Sequence, residues 1–390
     1  MHIGVDATCW QNNRGYGRHA RALLSSLVRA DRENRYTFVM DSASGIDGVP
    51  TEANVRLVRA SAPTAVAASS NGHRSVLDVW RVSRVLSEPS FDLLLFPTVY
   101  SFVPAFGRAK KLVMIHDVIA EKYPRLTLPS VTARLLWRTK VDLACRQANA
   151  IATVSEYSRL SLLEHFRLPP ERVFVVGEAS DPIFRVMENP QPTPRLCSLG
   201  ISSRGRVVVY VGGFGPHKNL KTLVSVFAHL AAQSEFSDVR LVLVGEHRNE
   251  VFHSCFTAVE AQVSTLGLSE RVVFTGYLPD HELVVLLNLS SVLVLPSLME
   301  GFGLPAVEAA ACGCPVIATT ASPLPQLLGD GGIYVDPMRS EEMVAALTRV
   351  LRSEQLRERM REAGIAAARR LSWESAARQM MGVIREVAGR

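Results

Sequence analysis

Cysteine is scarce in this chain. There are six in 390 residues, Cys9, Cys145, Cys197, Cys255, Cys312 and Cys314, and no pair has zinc-ligand spacing with matching histidines. That excludes a zinc ribbon and a disulfide framework, and makes a reduced, cytoplasmic compartment the default. Cys312-Gly-Cys314 reads as small buried residues near a helix end. Long apolar runs are also lacking. The longest, Leu283 to Leu295, is interrupted by Asn288, Ser290 and Ser291, and is too short and too polar to span a bilayer. The opening MHIGVDATCW has a strand-like alternation without the charged head, apolar run and cleavage site of a signal peptide, so none is expected. Aromatics make up 7%, and few stand among the basic residues, which argues against a nucleic-acid surface. No Asp-x-Asp pair occurs anywhere.

What is present is an ordinary globular composition, 47% apolar and 21% charged, in a chain long enough for two domains of roughly 200 residues. Short apolar strands alternate with amphipathic helices. In the first half the spacing predicts strands at Ile3–Ala7, Tyr36–Met40, Val55–Val58, Asp92–Phe96, Lys111–Ile115, Ala150–Val154 and Val173–Val176. Helices are expected at Gly17–Ala30, Ser75–Leu86, Ser130–Gln147 and Glu156–Phe166. The rhythm stops at Met187–Arg206, where Pro190, Pro192 and Pro194 mark a linker. It restarts with strands at Val207–Val211, Val239–Val244, Val272–Thr275, Val292–Leu295 and Val316–Ala318. Between them fit helices Leu220–Ala232, Val251–Leu266, Asp280–Leu289 and Leu304–Cys312. From Glu341 onward the chain is helical, and Ser372 caps a last helix with no strand after it.

This is an α/β pattern of two Rossmann-like, doubly wound parallel-sheet domains facing across a cleft. The expected division is an acceptor-side domain 1–186, a linker 187–206, a second domain 207–371, and a helix 372–390 crossing back to the first.

The net charge is +6. Lys122, Arg125, Arg134, Arg138, Lys140 and Arg146 face only one acid, Asp142, within their segment. The pattern fits either a solvated helix face or contact with an anionic membrane.

In doubly wound sheets, ligands bind beyond the carboxyl ends of the strands. Four strand-end loops there could carry chemistry. Asn12-Asn13-Arg14-Gly15-Tyr16-Gly17-Arg18 leads into the first helix; its glycines suit either a phosphate or a tight turn. Ile115-His116-Asp117 ends a strand, and His116 either reaches a ligand or bonds locally to Asp117. Gly212 to Asn219 combines Gly213 and its neighbouring glycines with Lys218 and a helix start, a set suited to a diphosphate. The fourth loop is Leu295-Pro296-Ser297-Leu298-Met299-Glu300-Gly301-Phe302-Gly303-Leu304-Pro305-Ala306-Val307-Glu308. Here two carboxylates bracket a helix N-terminus with Pro305 in its first turn. Positive potential between two acids matches hexose, diphosphate and ribose in succession.

EGFGLPAVE, with its Glu-x7-Glu of Glu300 and Glu308, resembles the signature of family-4 retaining glycosyltransferases of the GT-B fold. GYGRHARALL, the IHD triad, VSEYSRLSLLEHF, HKNL, GYLPDHEL, ATTASPLPQLLGDGGIYVDP and LSWESAAR follow in family order. The HKNL form is most similar to bacterial surface-polysaccharide mannosyl- and hexosyltransferases. The resemblance implies that a hexose is moved from a nucleotide sugar, GDP- or UDP-linked, to a glycan or lipid-linked acceptor, with GDP-mannose the first candidate. It implies no cofactor and no metal. It assigns Glu300 and the Gly301–Phe302–Gly303 backbone, with Leu304, to the donor sugar and phosphate, and Glu308 to the ribose. Lys218 would neutralise the leaving diphosphate, His116 would contact the hexose, and Gly15 and Gly17 would approach diphosphate and acceptor.

Three positions depart from the family pattern. Gly213 replaces a common arginine, Pro325-Gln326 replaces Pro-Glu, and Glu178-Ala179 replaces Asn-Gly. A non-catalytic nucleotide-sugar-binding scaffold subunit and a nucleotide-sugar epimerase are the competing expectations.

Overall fold

The computed structural model describes residues 1–12, 15–64, 75–128, 130–202, 205–247 and 253–389. The chain separates into two compact units: Met1–Glu178 with Ser372–Arg390, and Ala179–Leu371.

The first unit is built on a seven-stranded sheet. Its strands are β1 (His2–Asp6), β2 (Arg35–Asp41), β3 (Asn54–Val58), β4 (Leu93–Phe96), β5 (Lys110–Met114), β6 (Ala150–Thr153) and β7 (Val173–Val175). The order is β3-β2-β1-β4-β5-β6-β7, and every pairing is parallel. The central strands are buried along their length, as the apolar LLLF of β4 requires when both faces are covered. The sheet reverses direction of growth between β1 and β4, which sets a switch point at their carboxyl ends.

Helix α1 (Gly15–Ala30) buries Leu23, Leu24, Leu27 and Val28 on one stripe. Gly15 and Gly17 therefore sit in the first helical turn, two residues earlier than the expected start. Asn13 and Arg14 of that loop lie outside the described residues. A Cβ on Gly17 would collide with the Asn12 carbonyl, so close chain approach fixes glycine there. Helices α2 (Val76–Leu86), α3 (Val131–Gln147) and α4 (Glu156–Phe166) follow. Ser130 and Ser155 cap α3 and α4 by accepting from the N–H groups of Ala133 and Ser158. The strand-to-strand crossovers carrying α2, α3 and α4 all run in one direction across the sheet. The right-handed rule therefore puts these three helices on the same face.

The second unit has six parallel strands: β8 (Val207–Val211), β9 (Arg240–Val244), β10 (Val272–Gly276), β11 (Val292–Leu295), β12 (Val316–Thr319) and β13 (Gly332–Val335). Their order is β10-β9-β8-β11-β12-β13, the doubly wound 3-2-1-4-5-6 arrangement with its switch point between β8 and β11. The longer helices are α5 (Leu220–Ala231), α6 (Phe256–Thr265), α7 (Asp280–Leu289), α8 (Leu304–Ala311), α9 (Ser340–Arg352) and α10 (Glu354–Ala368). The start of the expected helix Val251–Leu266 falls outside the described residues, and β13 is a strand the sequence reading did not call.

The last helix, α11 (Trp373–Gly389), belongs to the first unit and packs on α1. Ser372 Oγ accepts from the Ser375 N–H at 3.1 Å, the cap that the Ser-x-x-Ser pattern implied. Among the described residues, no helix is long and apolar enough to cross a membrane. All six cysteines are free thiols, and Cys312 and Cys314 are buried.

Candidate functional site

In the second unit, the two loops singled out from the sequence leave the strands that flank the switch point. The loop after β8 runs through Gly213 to a short helical turn, Pro216–Lys218. Asn219 then adopts left-handed backbone, φ 59°, and donates from Nδ2 to the carbonyls of Pro296 (3.1 Å) and Pro337 (3.0 Å). The Leu298 N–H donates to the His217 carbonyl at 2.9 Å. These bonds tie the β8 and β11 loops together, and so bring Lys218 to Glu300. Lys218 Nζ lies 2.7 Å from Glu300 Oε1, and the Ser297 hydroxyl donates to the same oxygen at 2.6 Å. Both contacts fall on Oε1, so neither occupies Oε2. Glu300 is buried while Lys218 keeps a fifth of its side chain exposed. A buried carboxylate holding one ammonium and one hydroxyl is pre-oriented without rearrangement.

Gly303 stands at the N-cap of α8 with φ 85°, and a Cβ there would lie 2.8 Å from Leu324 Cδ1. Pro305 occupies the first turn, where its missing N–H costs nothing. The Ala306 and Val307 N–H groups donate to the Gly303 carbonyl at 2.9 and 3.4 Å, and the helix dipole adds positive potential at this end. Glu308, one turn into α8, is 2% exposed, so it is not a solvated surface residue. Its charge, after burial, helps push the Cys312 thiol up to about 12. Phe302 is buried beneath the same turn. Burial, with the neighbouring Lys218 charge, pushes His217 down to about 3, so it stays neutral beside the ammonium. Gly213 is exposed, and its carbonyl accepts the Tyr210 hydroxyl at 2.6 Å.

In the first unit, His116 follows β5. Its two ring nitrogens are sealed from solvent and have no hydrogen-bond partner. Asp117 does not bond to it: Asp117 Oδ1 accepts from the Ile119 N–H at 2.8 Å. Desolvation first, then the nearby His19, hold the His116 ring well below the usual histidine range. The sequence pattern assigned no role to the two groups around it. His19 of α1 stacks edge-on against His116, ring centroids 4.8 Å apart at 86°. Glu178, after β7, places Oε1 2.7 Å from His19 Nδ1. Ligand atoms of His19, His116 and Glu178 lie within 4.8 Å of one another. The 2.7 Å spacing is an ion-pair distance, shorter than the about 3.3 Å that two ligands of one tetrahedral zinc keep. Tyr16, in the first turn of α1, stacks on Tyr100 beyond β4, centroids 4.8 Å apart.

Two such units, each with chemistry at the carboxyl ends of a doubly wound sheet, define the GT-B class. The chain belongs to the glycosyltransferases: residues 13–182 match the model "Glycosyltransferase Family 4", and residues 198–367 match "Glycosyl transferases group 1". It is 29% identical over 233 residues to an Escherichia coli "O-antigen chain mannosyltransferase B", covering 60% of this chain and 59% of that protein. It is 23% identical over 400 residues to the Escherichia coli "Serotype-specific mannosyltransferase WbdA", covering 97% of this chain and 47% of that one. The chain thus spans roughly half to three fifths of these relatives. Among solved structures, Anabaena Alr3699/HepE in complex with UDP-glucose shares the fold, with TM-score 0.73, 19% identity and 99% of both chains covered.

Proposed function

We propose that the chain transfers a hexose from a nucleotide sugar to a glycan or lipid-linked acceptor in the cytoplasm, with retention of anomeric configuration and without a metal ion. The observation that carries this reading is the pair of buried carboxylates, Glu300 and Glu308, on either side of the α8 N-terminus, with Lys218 held 2.7 Å from the first. In this reading Glu300 Oε2 accepts from a hexose hydroxyl and Glu308 accepts from the ribose. The diphosphate lies at the Gly301–Leu304 turn. As the glycosidic bond breaks, the sugar becomes oxocarbenium-like and the leaving diphosphate gains charge. Lys218 and the helix N-terminus are already aimed at that charge, and each such preorganised donor is worth about 3–4 kcal/mol. His116 contacts the hexose as a neutral imidazole. The two mannosyltransferase relatives favour mannose, and GDP-mannose is the first donor to try.

The acceptor reading extends to an anionic membrane surface. Val131, Leu135 and Leu136 of α3 are 73%, 64% and 60% exposed, and Val76, Leu77 and Trp80 of α2 and Leu160 of α4 also face solvent. These helices share one face of the sheet, and Arg84, Arg138 and Arg146 lie on the same helices. Apolar side chains interleaved with basic ones suit an interface between headgroups and acyl chains.

A thermal-shift panel of GDP-mannose, GDP, UDP-glucose and UDP tests the donor, since a ligand binding only the native state raises stability by about 2.7 kcal/mol at a hundredfold excess over Kd. Turnover with the stabilising donor in EDTA, and the anomeric signal of the product, test metal independence and retention. Stabilisation without turnover on any glycan or lipid acceptor would leave the scaffold reading, and donor consumption without acceptor would favour epimerisation. Sedimentation with anionic but not neutral vesicles, lost in Leu135→Glu/Leu136→Glu, is expected for the membrane face. Equal binding to both vesicle types removes it.

A further inference from the structure

The contacts around His116 carry a residue role that the proposed reaction does not use, although the inference rests on His116 serving that reaction. His116 has no hydrogen bond to the protein at either ring nitrogen. An imidazole free of polar tethers keeps its orientation only through packing. The ring it meets edge-on is His19, at 4.8 Å and 86°. His19 is 1% exposed and is gripped on several sides. Trp373 of α11 stacks against it at 5.4 Å, Met114 Sδ lies 3.2 Å from Nε2, and Glu178 Oε1 lies 2.7 Å from Nδ1. Of these three neighbours, only Glu178 sets an oxygen against the ring.

We propose that Glu178 is a positioning residue: through His19 it fixes the ring plane of His116, the residue that the proposed reaction sets against the donor hexose. Glu178 is buried, and His19 supplies the partner that makes a carboxylate tolerable there. A buried carboxylate would be costly alone, and a buried imidazole beside it keeps both groups paired. The pair stands 159 residues apart in sequence and is built by the first unit alone, from α1 and the segment after β7. No proton transfer to the sugar is required of either group. Glu178 acts by geometry, and His116 remains the group that touches substrate.

Three variants separate this role from mere packing. In Glu178→Ala the tether is lost. In Glu178→Gln the length and the acceptor oxygen remain. His19→Phe keeps an aromatic edge against His116 and removes the polar partner of Glu178. Steady-state kinetics with donor, melting temperature and the 13Cε1 resonance of His116 in histidine-labelled protein are recorded for each. A misplacement of a group near the chemistry costs on the order of tenfold or more. The expected result is a kcat lower by about tenfold in Glu178→Ala and His19→Phe with donor KM held, and a shifted His116 resonance. Glu178→Gln should recover to within about threefold of the starting protein, with its His116 resonance unmoved.

The proposal is overturned if kcat follows melting temperature across the three variants, or if Glu178→Gln is as impaired as Glu178→Ala. An unmoved His116 resonance in Glu178→Ala overturns it as well. So does stoichiometric zinc retained by the purified protein and lost in His19→Phe, since the cluster would then be a metal centre. The resonance is read without turnover. If no donor is ever turned over, the coupling is still measured, and failure of the glycosyl-transfer reading is distinguished from failure of this one.

Discussion

Lys218 and Glu300 stand 82 residues apart and meet at 2.7 Å, the ammonium sharing one carboxylate oxygen with the Ser297 hydroxyl. In the proposed reaction this pair sets positive charge beside the α8 N-terminus before the donor arrives, ready for the diphosphate as it leaves. Lys218→Ala should lower kcat by about 10²–10³. Glu300→Gln should do less to nucleotide affinity than to turnover, because it leaves the phosphate site intact and alters the grip on hexose. Initial rates and nucleoside-diphosphate binding on the same preparations check both. If Lys218→Ala lost nucleotide affinity and kept kcat at saturation, the lysine would be a ground-state binder only.

Glu308 is buried one turn into α8, at the opposite end of the proposed nucleotide from Glu300. A hydrogen bond to a charged acceptor is worth about 1.5–3 kcal/mol. The ribose donor should therefore bind tenfold or more tighter than its 2′,3′-dideoxy analogue, and in Glu308→Gln that gap should shrink to about threefold or less. Competition binding of the two analogues to both proteins measures it. A gap of equal size in wild type and variant would take the ribose away from Glu308.

The strand-end loops of the second unit were legible because their chemistry is local. Gly303, Pro305 and the two acids sit within nine residues, and the apolar blocks VVVYV and VLVL fix the strands before them. β13, GIYV, escaped because three of its four residues are only partly buried at a sheet edge, leaving no apolar run to read. Ser297 gave no signal, since a serine before a glycine-rich loop is common in any turn. His19 and Glu178 were invisible as a pair. One lay inside a helix, the other looked like a simple departure from Asn-Gly, and only the fold joins them. The basic segment was read from charge, whereas its exposed leucines emerge only once α3 has chosen which side to bury.

Gly303 combines two demands that a side chain meets badly: φ of 85° and Leu324 Cδ1 2.8 Å from the Cβ position. Left-handed backbone alone costs an alanine about 1–2 kcal/mol. Gly267, with φ of 67° and open space around it, pays only that term. Gly267→Ala should lose about 1 kcal/mol in urea melts of the second unit's signal, and Gly303→Ala clearly more. Only Gly303→Ala should also lose nucleotide-induced stabilisation. Equal losses in the two variants would mean that Leu324 yields freely.

Glu121 gives the chain a pH signature of its own. Burial first, then the charges of Asp117 and Asp142, raise its carboxyl to about 7, while the Trp137 indole donates to Oε1 at 2.7 Å and opposes the rise. The native state therefore holds a proton that the unfolded chain, at an ordinary carboxyl value of 4.5, releases. Between pH 4.5 and 7 the native state binds more protons, so this group's contribution to stability falls as pH rises, by up to about 1.4 kcal/mol per unit. Above pH 7 both states are ionised, and the full penalty persists. Glu121→Gln keeps an acceptor for the indole and removes the charge. It should raise the melting temperature at pH 8, change it little at pH 4.5, and flatten the slope between. Melts of both proteins across that range decide the matter. A variant no more stable than its parent at pH 8 would show that Glu121 ionises without cost where it stands.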